Sequence, residues 1–197
     1  MSFDEIFAGR KVMAILRGMS PHETVSVAGA LWDAGVTVLE IPIAKPEAVA
    51  SLRAAASAAH ERGLRVGAGT VITAEQVRAA AEAEAQYTVA PGLDLGVLAA
   101  SQAAGMPHLP GVGSATEVQQ AWLAGCRWLK AFPAAALGPA WISALLGPFP
   151  DINFVATGGL SVATAPAFLE AGARVAALGA ALADPSQRDQ ISDLLTP

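Results

Sequence analysis

The stretch Arg127-Trp128-Leu129-Lys130-Ala131-Phe132-Pro133 has the composition of a short buried β-strand with one lysine at its centre. A charged ammonium group in an apolar strand is costly unless it is paired or loses its proton. A neutral lysine can attack a carbonyl carbon and form a Schiff base. The plainer alternative is a lysine at a strand end whose side chain reaches water. The rest of the chain has to decide between these two interpretations.

The unit of apolar strand, loop and alanine-rich helix recurs along the chain on both sides of this stretch. Eight strands are predicted, at Val12–Leu16, Val36–Pro42, Arg65–Val71, Gln86–Pro91, Met106–Val112, Arg127–Pro133, Ile152–Thr157 and Arg174–Leu178. Strands that alternate with helices indicate right-handed βαβ units and a parallel sheet. Eight such units favour a closed (β/α)8 TIM barrel over an open sheet, and residues 1–197 are predicted to form a single domain.

Capping signals place the helices between the strands. Helix N-caps are predicted at Ser20, Thr73, Asp94, Ser114 or Thr116, and Ser161, the first two as capping boxes. Glycines that favour a left-handed helix end follow the helices, at Gly35, Gly63, Gly105, Gly125 and Gly172. A helix is also predicted over Lys45–Arg62, a short one over Pro139–Leu146, and a last one over Ser186–Leu195.

Composition excludes several classes of protein. The chain has 197 residues, is 53% hydrophobic and has a formal net charge of −5. A net negative charge without a basic cluster argues against a nucleic-acid partner, and no apolar run is long enough for a transmembrane helix. Met1–Arg10 lacks the apolar core of a signal peptide, and Cys126 is the only cysteine, so a reducing cytoplasmic location is expected.

Polar side chains cluster where the predicted strands end. Active sites of this fold lie at the carboxyl ends of the strands, and those ends hold Arg17, Glu40, Thr70, Lys130 and Thr157. The opposite mouth is expected to hold little besides Ala-Gly turns. Strand alternation places Glu40 and Lys130 on faces that meet inside a barrel. They could form a structural ion pair, or act as the base and the nucleophile of carbonyl chemistry.

The turn Gly158-Gly159 follows the seventh strand and precedes the helix predicted from Ser161. Loops in this position often bind phosphate through backbone N–H groups and a helix N-terminus. The three histidines, His22, His60 and His108, lack metal-ligand spacing and are expected to be surface or packing residues. Cys126 is expected to be a small buried side chain rather than a catalytic thiol.

Seven segments occur in the order known from one enzyme family. They are Ala14-Ile15-Leu16-Arg17-Gly18, Val38-Leu39-Glu40-Ile41-Pro42, Val66-Gly67-Ala68-Gly69-Thr70-Val71, Ala90-Pro91-Gly92, Leu109-Pro110-Gly111, Leu129-Lys130-Ala131-Phe132-Pro133 and Thr157-Gly158-Gly159-Leu160-Ser161. Together they resemble the class I 2-keto-3-deoxy-6-phosphogluconate and 6-phosphogalactonate aldolases, which also accept 4-hydroxy-2-oxoglutarate. The resemblance spans about residues 7–182. It implies a TIM barrel that acts as a homotrimer on small keto-deoxy sugar acids and needs no metal or other cofactor.

The resemblance also implies a role for each matching residue. Lys130 matches the Schiff-base lysine and Glu40 matches the general acid and base. The remaining matches are expected to bind the substrate. Arg17 would bind its anionic part, Thr70 and Thr157 would bind the pyruvyl carboxylate and hydroxyls, and Pro91 and Phe132 would form the apolar wall. Gly158 and Gly159 would bind the phosphate, with Gly179 at the end of strand eight.

Three departures from the family pattern concern the substrate. The gluconate branch has an arginine four residues after the glutamate, where this chain has Ala44, so Arg17 is expected to take over its work. Many members have serine after the strand-eight glycine, where this chain has Ala180. Finally, Thr157-Gly158-Gly159 resembles the gluconate branch, whereas Arg17 and Ile41-Pro42 resemble the galactonate branch, so the resemblance leaves the stereochemistry at C4 of the substrate open. Two rival functions remain: another phosphosugar barrel, of epimerase or thiamine-phosphate synthase type, and a non-catalytic barrel that binds an anion.

Overall fold

The computed structural model describes residues 1–179, 182, 186 and 190–195 of the 197-residue chain. Strands and helices alternate along it. The strands are β1 (Val12–Ile15), β2 (Val38–Pro42), β3 (Arg65–Gly69), β4 (Thr88–Val89), β5 (His108–Leu109), β6 (Gly111–Val112), β7 (Trp128–Ala131), β8 (Asn153–Thr157) and β9 (Val175–Leu178). The helices are α1 (Phe3–Phe7), α2 (Pro21–Asp33), α3 (Ala48–Glu61), α4 (Ala74–Glu82), α5 (Leu95–Ala103), α6 (Ala115–Leu123), α7 (Ala134–Leu137), α8 (Pro139–Leu146), α9 (Ala165–Glu170) and α10 (Ser192–Leu195).

The strands form one parallel barrel, which confirms the predicted fold class. Their order is β5-β4-β3-β2-β1-β9-β8-β7-β6. The two outer strands of that order are consecutive in the chain, because Pro110 alone separates β5 from β6. Proline has no N–H to donate, which interrupts the ladder there. The backbone N–H of Lys130 donates to the Pro110 carbonyl at 2.9 Å, so the circle closes as eight barrel strands.

Buried side chains form two layers, one on each face of the barrel wall. The interior layer takes alternate residues of the strands and consists of Met13, Val38, Tyr87, Val89, Leu109, Val155, Val175 and Ala177, together with three residues of α1. The larger outer layer packs the helices against the strands. A wall that is covered on both faces explains the continuous apolar runs from which the strands were predicted.

Helix α1 covers the amino-terminal mouth of the barrel, and the expectation that this mouth holds little besides Ala-Gly turns was wrong. Ser2 caps the helix in a capping box with Glu5. The ring of Phe7 stacks on Trp128, with centroids 4.7 Å apart, and the Trp128 indole donates to Asp4 at 3.0 Å. The five-residue helix therefore closes the end of the barrel opposite the predicted active site.

Most helix ends follow the predicted capping signals. Ser20 forms the expected capping box, and of the two alternatives before α6 it is Ser114 that accepts from the N–H of Glu117. The second predicted capping box is incomplete. Thr73 accepts from the N–H of Gln76, but the Gln76 side chain bonds to Ile72 and Ile43 instead of returning to Thr73.

The segment after β8 differs from the expectation of a helix that starts at Ser161. Ser161 and Thr164 bond to each other within a turn, and α9 begins only at Ala165. The predicted final helix over Ser186–Leu195 is described only in part: α10 covers Ser192–Leu195, and residues 187–189 lie outside the described residues. No helix in the described part of the chain is long and apolar enough to cross a membrane.

His108 predicts a pH dependence of stability. Its ring lies between strands and α5, where Nδ1 bonds to Thr88 at 2.7 Å. Burial lowers the pKa of His108 from 6.5 to about 4, although the charge of Asp94 acts in the opposite direction. The unfolded chain therefore binds more protons than the folded chain between these two pH values. We expect the contribution of His108 to the free energy of unfolding to be constant above about pH 6.5. The free energy of unfolding should be about 3 kcal/mol lower at about pH 4.

Urea titrations at several pH values measure this dependence. The variant His108→Gln should lose most of the slope in this window. The matched control His60→Gln removes an exposed histidine and should keep it. An unchanged slope in His108→Gln would show that other groups carry the dependence.

Candidate active site

The structure brings Lys130 and Glu40 together inside the carboxyl end of the barrel. Lys130 is on β7, in register with Gly111 of β6 and Val155 of β8. Glu40 is on β2. The Lys130 Nζ lies 3.8 Å from the Glu40 Oε2, and the side chains are 7% and 1% exposed. Of the two sequence alternatives for Lys130, the buried lysine is therefore the observed one, and it is paired with a carboxylate.

Among the residues that the structure describes, Lys130 is the only polar partner of the Glu40 side chain. Neither of its carboxylate oxygens has a hydrogen-bond donor in the described part of the chain. A buried carboxylate without hydrogen bonds is unusual, because desolvation of a charge costs several kcal/mol unless partners compensate. Both oxygens are therefore available to accept or donate a proton beside Lys130.

One cavity of about 450 Å³ opens from Lys130 toward solvent. Its polar and glycine lining comprises Arg17, Lys130, Thr157, Gly158, Gly159 and Gly179, and its apolar lining comprises Ile15, Met19, Phe132, Leu160 and Ala177. Two cationic side chains thus face one pocket, a combination that suits a ligand with anionic groups at both ends. Eight of the ten site residues predicted from the sequence belong to this cavity or, as Glu40 does, to the ion pair at its base.

The wall of the cavity beside Lys130 is formed by Phe132 and the glycine turn. The Lys130 Nζ lies 5.4 Å from the centroid of the Phe132 ring. Gly158 has a φ of 99° and packs so closely on that ring that a Cβ would come within 2.9 Å of it. Glycine is therefore required there by both backbone conformation and space.

Thr70 and Pro91 are the two predicted site residues outside the lining of this cavity. They follow β3 and β4 at the same mouth of the barrel, and both are half-buried. Thr70 has a φ of 57°, in the left-handed region that a β-branched residue rarely adopts. Such strained residues cluster at active sites, where the surrounding structure holds them in place.

The cysteine and the histidines, which were not expected to be catalytic groups or metal ligands, do not line this cavity. Cys126 is a buried free cysteine just before β7, and burial raises the pKa of its thiol while Arg127 opposes the shift. Within residues 1–179 and the later described positions, no three His, Cys, Asp or Glu side chains are grouped as metal ligands.

Tyr87 was not predicted as part of the site. It is fully buried in the barrel interior, and its hydroxyl donates to the carbonyl of Leu39, the residue before Glu40. Burial raises the pKa of Tyr87 well above its usual value, and the negative charge of Glu40 adds to the shift. The alternation of Tyr87 and Val89 along the predicted strand Gln86–Pro91 was visible in the sequence, but the contact with β2 depends on strand register.

Comparison with protein families gives one matching family over almost the whole chain. Residues 3–194 match the model of the family described as KDPG and KHG aldolase. The 2-dehydro-3-deoxy-6-phosphogalactonate aldolase of Escherichia coli (strain K12) is 38% identical over 172 residues, which cover 87% of this chain and 83% of that protein. The 2-dehydro-3-deoxy-phosphogluconate aldolase of Pseudomonas aeruginosa (strain PAO1) is 37% identical over 161 residues, or 81% of this chain and 72% of that protein.

A solved structure agrees with these relatives. The KDPG aldolase of Legionella pneumophila, captured with pyruvate as a covalent carbinolamine intermediate, superposes with a TM-score of 0.84 at 28% identity. The match covers 96% of this chain and 94% of that one.

Proposed function

Since the chain belongs to the KDPG and KHG aldolase family, we propose that it is a class I aldolase acting on 2-keto-3-deoxy-6-phospho sugar acids. The reversible reaction yields pyruvate and glyceraldehyde 3-phosphate, and 4-hydroxy-2-oxoglutarate is a second substrate that yields pyruvate and glyoxylate. The observation that carries the proposal is the buried pair Lys130–Glu40, with 3.8 Å between Nζ and Oε2, at the base of a cavity with a second cation.

Schiff-base formation begins with a proton transfer inside this pair. Transfer from the Lys130 ammonium to the Glu40 carboxylate leaves a neutral amine, which attacks the C2 ketone of the substrate. The resulting carbinolamine loses its hydroxyl as water when Glu40 returns the proton. The products of this step are a protonated imine on Lys130 and a Glu40 carboxylate.

Carbon–carbon cleavage uses the same two groups. The Glu40 carboxylate removes the proton of the C4 hydroxyl, the C3–C4 bond breaks, and its electron pair moves to the imine nitrogen. An aldehyde leaves and an enamine of pyruvate remains on Lys130. Glu40 protonates C3, and hydrolysis of the imine then releases pyruvate. One carboxyl group can serve every proton transfer because it is desolvated and lies beside the Lys130 Nζ, to which the substrate is bound.

The substrate is oriented by the remaining residues of the mouth. We assign the pyruvyl carboxylate and hydroxyls to Thr157 and Thr70, the apolar wall to Phe132 and Pro91, and the phosphate end to the turn Gly158-Gly159 with Gly179. Arg17 supplies the positive charge for the anionic part of the substrate. Position 180, where this chain has Ala180 in place of a family serine, lies outside the described residues.

Arg17 gives a prediction about substrate binding. The variant Arg17→Gln should raise KM for the phosphorylated substrate by about 10- to 100-fold and change kcat much less, because a hydrogen bond to a charged group contributes about 1.5–3 kcal/mol. The control Arg10→Gln removes an arginine at the opposite mouth of the barrel and should leave KM unchanged. Equal KM values for Arg17→Gln and wild type would remove Arg17 from the binding site.

A coupled assay tests the function directly. Pyruvate release from the gluconate-type and the galactonate-type substrate is followed with lactate dehydrogenase and NADH. We expect turnover of at least one of the two C4 epimers, and the ratio of their kcat/KM values assigns the branch. Relatives of both branches match this chain almost equally, at 38% and 37% identity, so the assay has to include both. Absence of turnover with both epimers and with 4-hydroxy-2-oxoglutarate would contradict the proposal.

We further propose that the chain acts as a single-domain homotrimer. A designed protein cage built by fusing symmetric oligomeric domains contains a chain that is 34% identical and superposes with a TM-score of 0.84. The exposed apolar side chains Ile72 and Leu95 follow β3 and β4 at one mouth of the barrel, where a subunit contact would cover them. Native mass spectrometry should give three times the mass of one chain, and Ile72→Asp should weaken the assembly. The control Leu123→Asp changes an exposed residue at the end of α6 and should leave the assembly intact.

A further inference from the structure

Strand β3 presents a bare surface to the barrel interior. Its inward positions, Gly67 and Gly69, both lack a side chain. Neither glycine has a positive φ. An L-residue could therefore adopt the backbone conformation at both positions, and the reason for glycine must be space rather than chain geometry.

Two neighbouring side chains occupy the space that these glycines leave open. A Cβ at Gly69 would overlap the carboxyl group of Glu40, and a Cβ at Gly67 would overlap the ring of Tyr87. Glu40 comes from β2 on one side of β3, and Tyr87 precedes β4 on the other. The two side chains thus lie across β3, with the phenol bonded to the carbonyl of Leu39 directly before Glu40.

We propose that Gly69 is a positioning residue for the reaction: its missing side chain allows the Glu40 carboxyl group to lie against β3 at 3.8 Å from the Lys130 Nζ. Gly67 and Tyr87 form the floor beneath that carboxyl group. Glu40 has no hydrogen bond of its own in the described part of the chain, so packing against β3 and the ion pair are what hold it. The inference rests on the proposed function, because it assigns the position of the group that moves the protons.

The physical consequence of a methyl group at position 69 is displacement of Glu40. The overlapping atoms are Cγ, Cδ and Oε1 of one flexible side chain and not backbone, so the side chain can move while the fold stays intact. A shift of about 1 Å in a catalytic group can cost on the order of 10²-fold in rate. Gly69→Ala should therefore slow every proton-transfer step, including those of imine formation, while the Lys130 amine remains able to form the imine over a long incubation.

The experiment separates these steps by using pyruvate alone as the probe. Trapping with borohydride reports imine formation at Lys130, and exchange of the pyruvate methyl protons with deuterated solvent reports proton transfer by Glu40. For Gly69→Ala we expect the amount of imine trapped after a long incubation to persist and the rate of exchange to fall by about 10²-fold. The matched control Gly92→Ala also adds a methyl group near the mouth, where no atom lies within 4 Å, and should retain both signals.

A double-mutant cycle distinguishes positioning from general damage to the fold. Glu40→Asp shortens the side chain by one methylene and leaves room for a methyl group at position 69. The double variant Gly69→Ala/Glu40→Asp should therefore exchange at the rate of Glu40→Asp alone, and this comparison remains informative even if the single variant Gly69→Ala fails to fold. Exchange by Gly69→Ala within twofold of wild type, or a folded double variant slower than Glu40→Asp by more than tenfold, would overturn the proposal. Absence of imine and exchange in the wild-type protein would refute the proposed function instead.

Discussion

Replacement of Lys130 by methionine is expected to abolish aldol cleavage, with kcat lower by on the order of 10⁴-fold or more. Methionine keeps the length and the apolar stem of lysine but cannot form a carbinolamine or an imine, so the covalent route is lost and not merely slowed. The coupled assay for pyruvate release measures the loss. The exposed lysine that follows β2 provides the control Lys45→Met, which should retain wild-type kcat.

Stability measurements show whether Lys130→Met loses activity because the nucleophile is missing or because the protein unfolds. The substitution leaves the buried Glu40 without its counter-charge, which is expected to cost roughly 3–5 kcal/mol of the free energy of unfolding. The double variant Lys130→Met/Glu40→Gln removes that charge as well. It should recover much of the lost stability and none of the activity. A Lys130→Met protein that cleaves its substrate at the wild-type rate would exclude Lys130 as the nucleophile.

Replacement of Glu40 by glutamine is expected to lower kcat for cleavage by about 10²- to 10⁴-fold, the usual contribution of a general acid and base. Glutamine has nearly the same shape and fits against Gly69, but it neither removes the C4 hydroxyl proton nor protonates the enamine. The amine of Lys130 is still present, so the imine should form more slowly without Glu40 but still accumulate, and borohydride should trap a pyruvate adduct after a long incubation. A rapid-quench comparison of adduct formation and cleavage measures both steps.

The control for Glu40→Gln comes from the same part of the chain. Glu47 precedes α3 after the same strand, is exposed, and its side chain makes no capping hydrogen bond, so Glu47→Gln should leave kcat unchanged. If Glu40→Gln kept wild-type cleavage, the pair Lys130–Glu40 would be a structural ion pair, which was the alternative at the level of sequence.

Much of the site follows from two regularities that are visible in the sequence. Side chains of a strand alternate between its faces, and a barrel of eight βα units directs alternate residues inward. These rules were sufficient to predict that Glu40 on one strand and Lys130 on another, distant in the chain, would meet at one mouth. The helix ends at Gly35 and Gly125 followed equally local rules, because a left-handed residue closes each helix.

The features that could not be predicted from the sequence depend on contacts between elements. Helix α1 was not predicted because five residues carry too weak a periodic signal. Its packing against Trp128, which covers the amino-terminal mouth, is a contact between elements distant in the chain. The role of Gly69 requires the register between β2 and β3, which pairs Glu40 with Gly67 and Pro42 with Gly69. The Gln76 side chain accepts from the N–H of Ile72 and donates to the carbonyl of Ile43, and so the capping box predicted at Thr73 is incomplete.

The most direct test of the central claim is the intact mass of the protein after incubation with pyruvate and borohydride, followed by peptide mapping. The account predicts one reduced pyruvyl adduct per chain, located on the peptide that contains Lys130 and absent from Lys130→Met. A folded protein that gains no mass, or an adduct at another lysine, would contradict Schiff-base chemistry at this site. The cavity with its glycine turn would then have to belong to a phosphosugar isomerase or to a barrel that binds an anion without turnover.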